Sequence, residues 1–479
     1  MRDVGGSVKG GRYEEMDITV LQSGLAGTVV QQGDSEYETV RRAMVWNALK
    51  PERRPALIVR VANVADVVTA VRFARAHGLR VSARGGGHNW CGVALRDGGM
   101  LIDLTRLNQV AVDPATRRAA VQPVVTNREL ARHLAIHKLA FPFGHCSSVP
   151  LSGYLLGGGF GWNAGVWGPA CFSLHGIDVV TADGRLCSAS AEHESELFWA
   201  ARGAGPGFFG IVTRFHLQLY ALPQAITSST YVFGLERLAD VVEWLTDVSH
   251  RLSPAVEVAL LLSAGPPEVQ AQCRSSNGMA CTVSAAAFVD TPEAAVTALA
   301  PLETSPLARE CLWKHSHRPT PFDVLFDDMD RVFPQQHRYV ADTVWSNARP
   351  AEVIAALRDP VAAAPSPKSL LLCVLPPPAA AGAPPLPDAA FSMAGNLMTL
   401  AYAIWDDPED DAPNRAWHRS VMETLEPFAI GHYIGESDIV ATPSRAPHSF
   451  APANWQRLQT LREQYDPDGV FHGFPSEDK

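Results

Sequence analysis

The chain lacks any CxxC pair, and its eight cysteines, at positions 91, 146, 171, 187, 273, 281, 311 and 373, suggest neither a disulfide framework nor a zinc pattern. They read as reduced thiols packing as small apolar side chains in a cytoplasmic protein. No run of about eighteen apolar residues occurs, which argues against a membrane-spanning helix. The start, MRDVGGSVKGGRYEEMD, has no apolar core after its charges and does not read as a secretory signal. Positive charge is scarce. Forty Lys and Arg face fifty Asp and Glu, a net charge of −10 with no basic stripe, so nucleic acid and anionic membranes are poor partners. No internal repeat is visible.

What is present is an ordinary globular composition, 47% hydrophobic and 19% charged, over 479 residues. That length is too great for one core and implies two or three domains. After a glycine-rich start, a β-α-β pattern begins. A strand is expected over 56–61, then a helix capped by Asn63 with Asp66 in its first turn, then a strand over 79–83. Thr126 and Glu129 form a capping box for a helix over 127–138. Further strands are expected over 100–104, 109–112, 119–125, 177–181 and 211–220, with a hairpin mate over 186–190. Beyond Pro223 the pattern changes to an α+β layer. Strands over 229–233, 255–263, 281–289, 370–375 and 397–405 alternate with helices over 239–251, 292–302 and 351–357. Residues 376–388, rich in Pro and Ala, read as a surface loop, and a last helix is expected over 454–465.

Two glycine-rich loops bracket a His and a Cys. The first is Arg84-Gly85-Gly86-Gly87-His88-Asn89, delivered by the strand over 79–83. The second is Gly157-Gly158-Gly159-Phe160-Gly161. Between them lies Gly144-His145-Cys146-Ser147-Ser148-Val149. Without Cβ atoms, such loops bring backbone N–H groups close to an anion, and both could embrace one pyrophosphate. Two other patterns are weaker. Gly205 to Gly210 satisfies GxGxxG, but a helix is expected before it and a strand after it, the reverse of a dinucleotide fingerprint. His133 and His137 are four apart on an expected helix, with no third metal ligand nearby. No metal site is expected.

These motifs, with Val179-Val180-Thr181-Ala182-Asp183-Gly184, Leu197 to Gly203 and the closing Tyr465-Asp466-Pro467 to Phe471, resemble the berberine-bridge-enzyme-like oxidases of the vanillyl-alcohol-oxidase/PCMH flavoprotein superfamily. The match runs from about 50 to 220 and resumes at the C-terminus; the middle matches weakly. The resemblance implies an α+β, two-domain PCMH-type FAD-binding fold. An FAD-binding domain would span 1–225 (PCMH-type core about 50–222), and a substrate domain, an antiparallel sheet covered by helices, would span 226–425. Residues 426–479 would return to the FAD domain.

It also implies FAD bound bicovalently, through His88 to the flavin 8α-methyl carbon and through Cys146 to C6. Arg84, Gly85, Gly86, Gly87, Asn89, Gly153, Gly157, Gly158, Gly159 and Gly161 would contact the cofactor by backbone and loop, and Gly210, Ile211 and Val212 would line it. Val149 resembles the gatekeeper that admits O2, which favours an oxidase releasing hydrogen peroxide. The implied reaction removes a hydride from a C–OH carbon of a sugar or secondary metabolite. Alternatives are C–N oxidation, oxidative cyclisation, a dehydrogenase with another acceptor, or a flavin-binding protein without catalysis.

The chain departs from the pattern in its bases. Positions that in plant members carry a Lys and a Glu or Gln resemble Thr399 and Ala401 here. In His432 to Asp438, similar to the bacterial Tyr-x-Asn-Tyr-x-Asp motif, Tyr433 matches the first Tyr and Glu436 replaces the second. Both are candidate bases. Tyr402, Thr399 and Trp405, with Tyr231 and Trp345, are expected around the substrate pocket.

Overall fold

The computed structural model describes residues 17–273, 278–375 and 386–475. The glycine-rich start over 1–16 and most of the Pro/Ala-rich stretch over 376–388 lie outside them. No helix among the described residues is long and apolar enough to cross a membrane.

The protein is a mixed α+β structure organised by three main sheets. A four-stranded sheet is ordered Thr28–Gln31, Leu57–Arg60, Met100–Asp103, Val81–Arg84, the last three parallel. The strands Leu57–Arg60 and Met100–Asp103 are almost wholly buried, as apolar parallel strands must be. The helix Val64–Ala76 packs on them, its cap supplied by Asn63, which accepts from the Asp66 N–H at 3.1 Å. A five-stranded antiparallel sheet follows, with Ile211–Gln218 at its centre between Arg118–Val121 and Leu174–Val180. The C-terminus returns to the first sheet: Val81 N–H donates to Val470 C=O at 2.6 Å, and Phe471 bridges to Val81. That contact steadies the strand that delivers the first glycine loop.

The third sheet has seven antiparallel strands, ordered Trp313–Pro319, Ala225–Gly234, Met279–Val289, Val256–Ala264, Leu370–Val374, Leu397–Trp405, Arg338–Ser346. Helices Leu238–Ser249, Pro292–Glu303, Pro350–Ala355 and Asp411–Leu425 cover one face. The other face looks toward the glycine loops. The strand Leu397–Trp405 is buried at all nine positions, so its side chains divide by parity alone. Leu397, Ala401, Ala403 and Trp405 enter the helix-side core, whereas Met398, Leu400, Tyr402 and Ile404 enter the aromatic cluster on the opposite face.

Candidate active site

A cavity of about 1150 Å³ lies between the glycine loops and the open face of the seven-stranded sheet. Pockets for one small molecule are about 300–1,000 Å³, so this one has room for a large cofactor together with a substrate. Its walls include Arg84 to Trp90, His145, Cys146, Ser148, Val149, Gly153, Gly157, Gly161 and Gly210 to Val212 on one side. On the other are Glu257, Trp345, Met398, Leu400, Tyr402, Tyr433 and Glu436.

The first loop is tied down by its own arginine. Arg84 donates to Asp103 at 3.2 Å, to Gly86 C=O at 3.0 Å and to Met44 C=O at 3.2 Å. Gly87 adopts φ +69°, and a Cβ there would sit 2.2 Å from the Met44 carbonyl oxygen, so only glycine fits. Asn89 accepts from the Val93 N–H at 3.2 Å and turns the chain after His88. The segment that carries Cys146 is pinned by Asn127, the first residue after the Thr126 cap. Asn127 accepts from the Gly144 N–H at 2.9 Å and donates to the Val149 carbonyl at 2.9 Å, clamping 144–149 from both ends. Thr126 and Glu129 make the expected capping box, although the helix ends at Ala135 and leaves His137 beyond it.

His88 is half-buried, its ring stacked on Trp46 at 4.9 Å. Burial, and then the neighbouring Arg84 charge, push its pKa down to about 4. The imidazole is therefore neutral near pH 7, with a lone pair available for bonding. Cys146 is also half-buried, and burial, with the carboxylates of Glu436 and Asp330, pushes its thiol up to about 12. Val149 lines the cavity beside it.

Glu436 is the focus of the opposite wall. Its Oε2 accepts from the Tyr402 hydroxyl at 2.5 Å and from Trp90 Nε1 at 3.3 Å. Burial raises its pKa, against the two hydrogen bonds and the through-space pull of His145. Tyr433 is fixed differently: its hydroxyl accepts from the Gly159 N–H at 3.1 Å, and its own N–H donates to Thr343 Oγ1 at 2.9 Å. Burial raises the Tyr433 phenol as well, with the Glu436 charge adding to it.

Not every expected residue reaches the cavity. Thr399 and Trp405 are absent from its walls. They stand on the helix-side parity of their strand, where Trp405 donates to Asp411 at 2.8 Å. The face toward the loops is carried one position over, by Met398, Leu400 and Tyr402. Tyr231 likewise packs among the helices, against Trp244. Gly158 and Gly159 serve the bend of their loop rather than its exposed edge. At φ +111° and +80°, they fit against Phe391 and against Ala170 and Tyr154. The GxGxxG stretch stands as expected between the helix Ser195–Ala201 and the strand Ile211–Gln218. Sequence reasoning passed over Trp90, His145 and Glu257. Glu257 had a legible signal, as the one charge in the strand Val256–Ala264.

The residues present fit FAD. Among the described residues, the backbone N–H groups of Gly85, Gly86, Gly87, His88 and Asn89 make no hydrogen bond to another protein atom, although all five residues line the cavity. Five consecutive donors without partners form a cradle for an anion such as a pyrophosphate.

Comparisons with known proteins agree. Residues 55–190 match the family model for the FAD binding domain. Over 447 residues the chain is 30% identical to the FAD-linked oxidoreductase nodO of Hypoxylon pulicicidum, covering 92% of this chain and 94% of that one. The chain belongs to the FAD-linked oxidoreductases. This FAD-linked oxidoreductase also shares its fold with berberine bridge enzyme from Eschscholzia californica (TM-score 0.79, 18% identity, 95% of this chain and 97% of that one). The xylooligosaccharide oxidase of Myceliophthora thermophila is similar too (TM-score 0.78, 21% identity, 96% and 98%). The PCMH-type, berberine-bridge-enzyme-like resemblance of the motifs is thereby met in the fold of the described residues.

Proposed function

We propose that this FAD-linked oxidoreductase is an oxidase acting on a C–OH group of a sugar or secondary metabolite, with Glu436 accepting the hydroxyl proton. The observation that carries the reading is the Glu436 carboxylate itself. One of its oxygens is held by Tyr402 and Trp90, and it lines the cavity that His88 and Cys146 share. With the Tyr402 hydroxyl donating to it, the carboxylate is oriented while burial keeps it basic enough to take a proton. Tyr433, whose oxygen is occupied by the Gly159 N–H, serves as a fixed wall.

Bound FAD would supply the two-electron acceptor for the hydride and, with O2, the route to hydrogen peroxide. His88 would hold it at the 8α-methyl carbon and Cys146 at C6. The free N–H groups of 85–89 would receive its pyrophosphate. Val149, a small side chain on the cavity wall, leaves room for O2. The division we infer follows the sheets: residues 1–225 with 426–479 hold the cofactor, and 226–425 close the substrate side.

The test is a panel of alcohols and amines assayed for hydrogen peroxide with wild type, Glu436→Gln and Tyr433→Phe. Glu436→Gln is expected to lower kcat by about 10²–10⁴-fold, the usual contribution of a general base, at unchanged flavin content. Tyr433→Phe is expected to stay within about tenfold. Peroxide from amines alone, or from no substrate, would overturn the reading.

A further inference from the structure

One hydrogen-bonded pair of ionisable groups in the cavity is not used by the reading above. His145 Nε2 lies 2.6 Å from Glu257 Oε1, and Glu257 Oε2 accepts from the Asn163 N–H at 3.1 Å. Both carboxylate oxygens are thus engaged, and the ring is oriented. The ring edge also meets Trp162, with centroids 4.1 Å apart at 68°. Asn163, at φ +60°, is turned into the left-handed region to present that N–H.

The pair joins two separate parts of the fold. His145 sits in the clamped loop immediately before Cys146. Glu257 projects from the seven-stranded sheet, among the small and apolar side chains of the strand Val256–Ala264. Both residues line the cavity, and His145 Nδ1 has no hydrogen-bond partner among the described residues. A protonated ring would donate from Nε2 to Glu257 and place one positive charge on the cavity wall.

Glu436 shares that cavity. Its neighbours are Tyr402 from the strand Leu397–Trp405, Trp90 from the first loop, Cys146 from the clamped loop and Tyr433 from its own turn; none carries a positive charge. Asp330, from the helix Phe322–Val332, acts on Cys146 in the same sense as Glu436; it accepts from Ser147 at 2.7 Å and pairs with Arg128 at 3.1 Å. A carboxylate in such surroundings needs a compensating cation to stay ionised. We propose that His145, seated on Glu257, is a positioning residue for the proton-accepting step, supplying Glu436 with the positive charge its immediate neighbours lack. The through-space influence of His145 on Glu436 is in the sense this requires, favouring the ionised carboxylate. The inference rests on Glu436 being the proton acceptor.

A base works ionised and fails as pH falls through its pKa. Removing the His145 cation raises that pKa, so the acid limb of kcat moves to higher pH.

Infrared titration of the holoenzyme follows the Glu436 carboxyl itself, its band assigned by loss in Glu436→Gln. In His145→Gln the titration midpoint is expected to rise by about half to one pH unit, the scale of one charge acting across a protein interior. His145→Lys, which restores a cation, should bring it back toward wild type; a merely structural role would not produce that rescue. If His145→Gln does not load flavin, Glu257→Gln perturbs the same pair from the seven-stranded sheet. It should move the midpoint too, because it removes the carboxylate that holds the ring in place. A Glu436 midpoint unmoved in these variants overturns the proposal. A shifted midpoint with kcat intact in Glu436→Gln would instead overturn the role of Glu436 and leave the coupling standing.

Discussion

Tyr402 and Glu436 form the tightest polar contact of the cavity, and their properties follow from sharing one proton donor. The Tyr402 hydroxyl stabilises the ionised carboxylate, and the carboxylate in turn makes the phenol harder to ionise, so burial and the Glu436 charge together push Tyr402 upward. Tyr402→Phe removes that donor without changing the ring. Glu436 should then ionise at higher pH, and the acid limb of kcat, read from a pH-rate profile, should move up; a limb that stays or moves down would show that the bond does not act on Glu436 in its proposed role. At His88 the effect of environment is reversed: burial favours the neutral ring, the form that can bond to carbon. Gly87→Ala tests the loop that carries it. The added methyl meets the Met44 carbonyl in a backbone conformation L residues avoid, so flavin content after purification should fall severalfold, whereas an unchanged flavin absorbance would contradict the cradle.

In the strand Leu397–Trp405, parity decides which side chains reach the cavity. Leu400 is buried on the cavity face, and Leu400→Ala should cost about 2–5 kcal/mol and raise KM. Thr399 is equally buried on the other face, its hydroxyl beside the Cys373 thiol and without a nitrogen or oxygen partner among the described residues. Thr399→Val should leave KM unchanged and hold or raise stability by about 1 kcal/mol, since an unsatisfied buried hydroxyl is removed. Chemical denaturation and steady-state kinetics on the two variants check both. The strand itself was legible from its apolar run, residue for residue, but not its facing, because a strand buried on both sides carries no alternation to say which side is which. Where alternation survives, as in Ile211–Gln218, sequence and structure agree closely. The Asn63 cap and the Thr126–Glu129 box were readable for a local reason: each is satisfied by backbone within three residues. Trp90 and His145 were overlooked because their partners, Glu436 and Glu257, lie 346 and 112 residues away. The helices Phe322–Val332 and Asp411–Leu425 also went unread. The first is crowded with aspartates, four of them, that make sense only beside Arg128, Arg132 and Arg318.

At the scale of the molecule, two buried histidines set an acid limit. His432 is locked neutral, one ring nitrogen on the Thr343 carbonyl at 2.6 Å and the other accepting from Arg445 at 2.8 Å. Burial lowers His432, and likewise His418, to about 4. Unfolded, each would titrate near its ordinary 6.5. The unfolded chain therefore binds protons first as pH falls, so stability is full above about 6.5 and declines toward 4, by a few kcal/mol in order of magnitude. The melting temperature should drop across that window; His432→Gln, if it folds, should flatten the slope.

The two glycine loops, the Asn127 clamp and the C-terminal return at Val81 converge to bring His88 and Cys146 to one cavity, where we propose that they tether one FAD. The direct measurement is to precipitate the purified protein with acid and record flavin absorbance in pellet and supernatant, with the intact mass of the chain. A flavin-coloured pellet and a mass increased by one FAD are predicted for the wild type. His88→Ala and Cys146→Ala should each retain the colour through the remaining bond, and the double variant should lose it. Release of all flavin from the wild-type protein into the supernatant would contradict the account.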